Sequence, residues 1–193
     1  MEKDSYRLEA FSDGVFSIAI TLLALDLRVP VFETVNSKNL FEALLKEWPS
    51  YLAFTASFMS ILVMWINHHG IFKSVRKTSS ELFFANGFLL MLTVVTPFTT
   101  ALVARYLRTP AASAAMAVYA GSFIIISIAY NWLWAAATGC SHATEHLNRV
   151  TRHYRLGLPI YCLATAVAFL NPLLSLGICI GLWIFWAVTM REA

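Results

Sequence analysis

Long apolar runs separated by short polar connectors dominate this chain. Six of them, at about 10–28, 51–71, 81–104, 111–137, 155–170 and 172–190, approach the roughly 20 residues that a helix needs to cross about 30 Å of hydrocarbon. The last two are short and adjacent, with Asn171-Pro172 between them. Proline cannot extend the preceding helix and disfavours helical geometry at the residue before it, so a hairpin is expected here rather than one unbroken helix. Between the first two runs, residues 30–50 have room for a short surface helix. Asn39 is placed to cap it, Glu42 and Lys46 stand at i,i+4, and Leu40, Phe41, Leu44, Leu45 and Trp48 supply an apolar side. Pro97 and Pro159 fall inside the third and fifth runs, where they either kink the helix or leave backbone groups for neighbouring helices to satisfy.

Composition turns these runs into membrane spans. Of the 193 residues, 59% are hydrophobic and 13% charged, and the mean hydropathy is +0.66. A soluble domain carries roughly 25% charged residues. No linker or low-complexity stretch divides the chain, so residues 1–193 are expected to form one six-helix transmembrane unit. With the N-terminus inside, the cytoplasmic segments hold Lys3, Arg7, Lys73, Arg76, Lys77, Arg149, Arg152, Arg155 and Arg191, and the outer loops hold Arg28, Lys38, Lys46, Arg105 and Arg108. That bias places both termini in the cytoplasm and the protein in the cell membrane as a multi-pass protein. Acidic residues ahead of the first run and Asp13 within it argue against a cleaved signal peptide. The net charge of +3 reflects the same loop bias; the basic residues do not gather with aromatics into a nucleic-acid groove. Cys140, Cys162 and Cys179 are odd in number and receive no chemistry.

The first run is the exceptional one. It opens with Arg7, Glu9, Ser12 and Asp13 in place, and ionisable groups at a membrane helix mark an ion pathway or a helix contact. Helical spacing puts Phe11, Val15, Ile18, Leu22 and Leu25 on one stripe with Gly14 and Thr21 beside it, while Asp13, Phe16, Ser17, Ile20 and Ala24 fall on a neighbouring face. Periodicity alone leaves lipid, a partner helix and a narrow pore all open for that stripe.

Arg7-x-x-x-Phe11-Ser12-Asp13-Gly14, followed by Ile18, Thr21, Leu22 and Leu25, resembles the signature first helix of the transmembrane protein 175 family of potassium channels. The Trp65-Ile66-Asn67-His68-His69 patch at the end of the second run resembles that family's second helix, and the length matches its single-repeat prokaryotic members. The resemblance implies an all-α homotetramer with four copies of the first helix around a central pore. Such channels have no Thr-Val-Gly-Tyr-Gly filter, and this sequence has none. By position, Ile18 corresponds to the family's narrow isoleucine ring, Leu22 and Leu25 to apolar rings further out, and Thr21 to a threonine linked to potassium preference over sodium. Apolar rings gate by excluding water, and a hydroxyl oxygen replaces part of an ion's hydration shell.

Ser12 and Asp13 sit one turn or more before Ile18, so they are read as a structural or gating network with Arg7, Phe11, Trp65, Asn67 and His68, because buried charges persist only when paired. His68 and His69 are a satisfied pair at a helix end, or a pH-sensitive element. Asp26 forms either an outer cation-attracting ring or a helix-end pair with Arg28.

Two other readings compete. His142-Ala143-Thr144-Glu145-His146 fits the H-x-x-E-H spacing of zinc hydrolases, with His153 and Glu192 downstream as possible third ligands. A small secondary transporter would show broken helices or internal repeats, and the first run contains no proline. The sequence thus points to a passive potassium-preferring cation channel that is not an enzyme. Its expected partners are copies of itself, the bilayer and permeant K+, with no cofactor or structural metal.

Overall fold

Every apolar run folds as a helix in the computed structural model, which describes residues 2–27, 29, 36–73, 75, 78–139 and 145–189. Helix α1 spans Glu2–Leu22 and continues as a 3-10 turn, Leu23–Asp26. It is followed by α2 (Ser37–Lys46), α3 (Trp48–Phe72), α4 (Ser80–Tyr106), α5 (Ala112–Thr138), α6 (Glu145–Ala168) and α7 (Pro172–Thr189). Four segments, Ser5–Asp26 and helices α3, α4 and α5, are long and apolar enough to cross a membrane. The apolar parts of α6 and α7, Tyr154–Ala168 and Pro172–Val188, are shorter. At 1.5 Å per residue they reach roughly 22 and 25 Å, less than a full hydrocarbon thickness of about 30 Å.

Helix ends follow local chemistry. Proline in the first turn of α3 fits where no backbone donor is needed. Ser79 caps α4 by accepting from the Leu82 N–H at 3.1 Å. Gly139 closes α5 with φ 56°, a left-handed backbone that glycine adopts freely. The expected hairpin is present: Asn171 Oδ1 accepts from the N–H groups of Leu173 and Leu174, capping the helix that Pro172 opens. The cap of α2 differs from expectation. It is Asn36, whose side chain accepts from the Asn39 N–H at 2.8 Å, so Asn39 is the donor and the helix starts at Ser37.

Helix α5 holds the bundle together, packing on α3, α4, α6 and α7, while α1 sits at one edge against α3 and α4. Small residues Ala53, Ala56, Ser57 and Ser60 on α3 allow close approach. Hydroxyls then fasten the interior. Ser57 Oγ lies 2.7 Å from Thr100 Oγ1 of α4 and 3.2 Å from the Tyr119 hydroxyl of α5, the Tyr130 hydroxyl donates to the Met64 carbonyl of α3, and Ser175 of α7 donates to the Ala164 carbonyl of α6. Pro97 and Pro159 both lie within continuous helices.

Candidate functional site

One face of α1 is packed and the other is open. Leu8, Ser12, Phe16, Ala19 and Leu23, spaced by three and four residues, are buried against α3 and α4. On the far side Phe11, Gly14, Ile18, Thr21, Leu22 and Leu25 form an exposed stripe. Ile18 and Leu25 are 60% and 77% exposed, against 37% for Leu22, so Ile18 and Leu25 project further from the bundle than Leu22. Val15, expected on this stripe, is half-buried and packs on the core. The Thr21 hydroxyl donates to the Ile18 carbonyl at 2.8 Å. Its hydrogen is thereby committed to the helix, and the oxygen presents its remaining acceptor capacity outward. Helix α1 runs unbroken from Glu2 to Leu22, without the mid-helix interruption of an ion-coordinating transporter site.

Two polar contacts systems hold the first half of α1. The buried one begins at Ser12, which donates to the Leu8 carbonyl at 2.8 Å and accepts from Asn86 Nδ2 of α4 at 3.0 Å. Asn86 Oδ1 is 2.7 Å from His68 Nε2 of α3. The His68 ring is fully buried, edge-on to Phe16 at 5.3 Å and stacked on Phe72 at 4.4 Å. A second, more exposed set lies beside it: Trp65 Nε1 donates to Asp13 Oδ1 at 2.8 Å, Trp65 stacks on His69, and His69 Nδ1 is 2.6 Å from Glu9 Oε1.

The expected grouping is therefore divided. Trp65 holds Asp13 as anticipated, but His68 turns to Asn86, and Asn67 is buried on the opposite side of α3 among α5, α6 and α7. Arg7 and Phe11 are exposed, and Phe11 continues the open stripe. Asn86 and the Glu9–His69 pair were not anticipated as partners. A lone amide within the apolar run 81–104 is the signal for Asn86. Asp26 lines a polar cleft with Lys46, Glu47, Arg105 and Arg108 at the opposite end of α1. Arg28 and His142 lie outside the described residues, as do the side chains of His146 and His153 and all of Glu192. Among the described residues no three His, Cys, Asp or Glu side chains are grouped to hold a metal.

Trp65 is 38% exposed, so water substitutes for part of its bond to Asp13. Trp65→Phe is accordingly expected to cost roughly 0.5–1.5 kcal/mol, read as a small drop in the thermal midpoint of the detergent-solubilised protein.

Residues 7–97, covering most of α1 through α4, match the family model described as endosomal/lysosomal potassium channel TMEM175. The chain is 48% identical over 193 residues to a potassium channel of Chamaesiphon minutus, with 97% of this chain and 95% of that protein covered. It is 40% identical over 180 residues to a potassium channel of Streptomyces collinus, with 90% and 86% covered. The crystal structure of a lysosomal potassium-selective channel TMEM175 homolog from Chamaesiphon minutus superposes with a TM-score of 0.90 at 47% identity, covering 97% of this chain and 98% of that one.

Proposed function

This chain belongs to the TMEM175 family, and we propose that it is a passive, potassium-preferring channel whose pore is lined by four copies of α1. It is a channel and not an enzyme, in keeping with relatives and structural neighbours that are ion channels.

The observation that carries the reading is the open stripe on α1. An edge helix with one packed face and Gly14, Ile18, Thr21, Leu22 and Leu25 along the other meets its own copies and water around a four-fold axis. In lipid the outward acceptor capacity of Thr21 has no partner; in a water-filled lumen it meets ions. Ile18 then forms the tightest apolar ring, with Leu22 and Leu25 further along, and dewetting at these rings closes the pore. Thr21 biases the ion choice toward potassium. The Ser12–Asn86–His68 and Asp13–Trp65 contacts brace α1 against α3 and α4, while Arg7 and Phe11 stay on its exposed side. At the outer end Asp26 is the candidate for a cation-attracting ring, in a cleft where Lys46, Arg105 and Arg108 oppose it with positive charge. In this reading the four long apolar helices cross the cell membrane and the shorter α6–α7 hairpin adds two further crossings, so that residues 1–193 form one unit with both termini in the cytoplasm.

The test is the reversal potential of the purified protein in planar bilayers under a potassium/sodium gradient, wild type against Thr21→Val. Valine keeps the shape of threonine and removes the oxygen, so the permeability ratio is expected to fall by about two- to fivefold. A reversal potential identical in both proteins removes Thr21 from selectivity, and ohmic current absent from folded wild-type tetramers removes the channel reading itself.

A further inference from the structure

Behind α3, on the side away from α1, helices α3, α5, α6 and α7 line a partly open cavity of about 50 Å³. Its walls mix aromatic with polar groups, including Ser60, Met64, Asn67, Ser127, Tyr154 and Trp183. Asn67 is 7% exposed, and its Oδ1 is buried with no hydrogen-bond partner. Trp183 Nε1, across the same cavity on α7, is likewise buried and unpartnered. One atom only accepts and the other only donates.

We infer that this cavity is an internal hydration site, in which bound water donates to Asn67 Oδ1 and accepts from Trp183 Nε1, joining α3 to the α6–α7 hairpin. Water meets both demands at once and fits the volume. A bound water needs at least about 10–15 Å³ of such space, so roughly three to five fit, whereas organic ligand pockets are on the order of 300 Å³ or more. Purely apolar cavities stay dry, but this one carries an orphan donor, an orphan acceptor and the hydroxyl-bearing side chains of Ser60 and Ser127. Gly157 of α6 belongs to the same arrangement, since a Cβ there would stand 3.1 Å from Ser127 Oγ and 3.6 Å from Trp186. The site is independent of the pore assigned to α1: adjacent residues of α3 serve the two, His68 facing α1 and α4, and Asn67 facing the cavity.

Millisecond radiolysis of the purified full-length protein, read by peptide mass spectrometry, tests this, because hydroxyl radicals arise from water and oxidise the side chains next to it. Met64 and Trp183 are expected to oxidise at least about fivefold faster than Met116, which is fully buried away from this cavity. On mixing with 18O-labelled water just before irradiation, the label is expected to reach Trp183 later than the exposed Tyr6. Asn67→Leu should lower Trp183 oxidation about fivefold, the effect of one lost hydrogen bond on occupancy, and leave Tyr6 unchanged. Where that variant does not fold, Trp183→Phe should lower Met64 oxidation in the same way. Met64 and Trp183 as inert as Met116 would show the cavity to be dry, and 18O arriving at Trp183 in step with Tyr6 would show bulk access; either overturns the proposal.

Discussion

Ile18→Asn is expected to raise the potassium current at least about tenfold over wild type at equal protein density in planar bilayers. In the proposed tetramer, four isoleucines facing one axis would make an apolar ring that water leaves easily, and an ion crossing it would shed hydration without compensation. Isoleucine is also stiff at χ1 in a helix, so the ring does not yield by rotamer change. Asparagine brings donors and acceptors to the same position, wetting the constriction and lowering the barrier. The substitution is expected to fold, because Ile18 is 60% exposed and contributes little to packing within the subunit. Leu22, at 37% less exposed than Ile18, is expected to give a smaller increase when changed to alanine. Leu25 lies seven residues from Ile18, about 10 Å along the axis, far enough to form a separate ring. Currents unchanged in both Ile18→Asn and Leu22→Ala would take α1 out of the pore wall.

The elements of the fold were legible because burial in lipid leaves a plain signal: each apolar run became a helix, and Asn171-Pro172 marked the hairpin. Their ends were less so. Hydropathy reports where hydrocarbon begins, not where hydrogen bonding does, so α1 starts at Glu2 and α6 at Glu145, well before the apolar residues near 10 and 155. At the site, the Asp13–Trp65 bond was anticipated from the paired motifs on two neighbouring helices. The partner of His68 was not, because Asn86 stands on a third helix whose rotation about its axis follows only from packing with α5. Asn67 shows the limit of neighbourhood in sequence. It sits beside His68, yet one residue is 100° around a helix, which turns it away from α1 into a different group of helices.

Asn86→Leu is the substitution expected to destabilise the subunit most, by roughly 1–3 kcal/mol, read as the thermal midpoint in detergent. Leucine keeps the branching of asparagine and its number of side-chain heavy atoms but is bulkier, so at this buried position the lost hydrogen bonds are joined by some overpacking. An amide oxygen only accepts, so the His68 nitrogen facing it carries the proton. With Asn86 gone that N–H is buried without a partner, and His68 Nδ1 already has none among the described residues. Ser12 loses less, because it still donates to the Leu8 carbonyl. The order of effects is therefore Asn86→Leu above Ser12→Ala, with Trp65→Phe smaller than Asn86→Leu because its bond is open to water. Ser12→Ala placed on Asn86→Leu should add little, since the bond it breaks is already absent, and the shortfall from additivity measures the Ser12–Asn86 coupling. Strict additivity of the two would mean that the contact between α1 and α4 contributes nothing at this point. A midpoint unmoved by Asn86→Leu would mean that His68 finds another acceptor within the bundle.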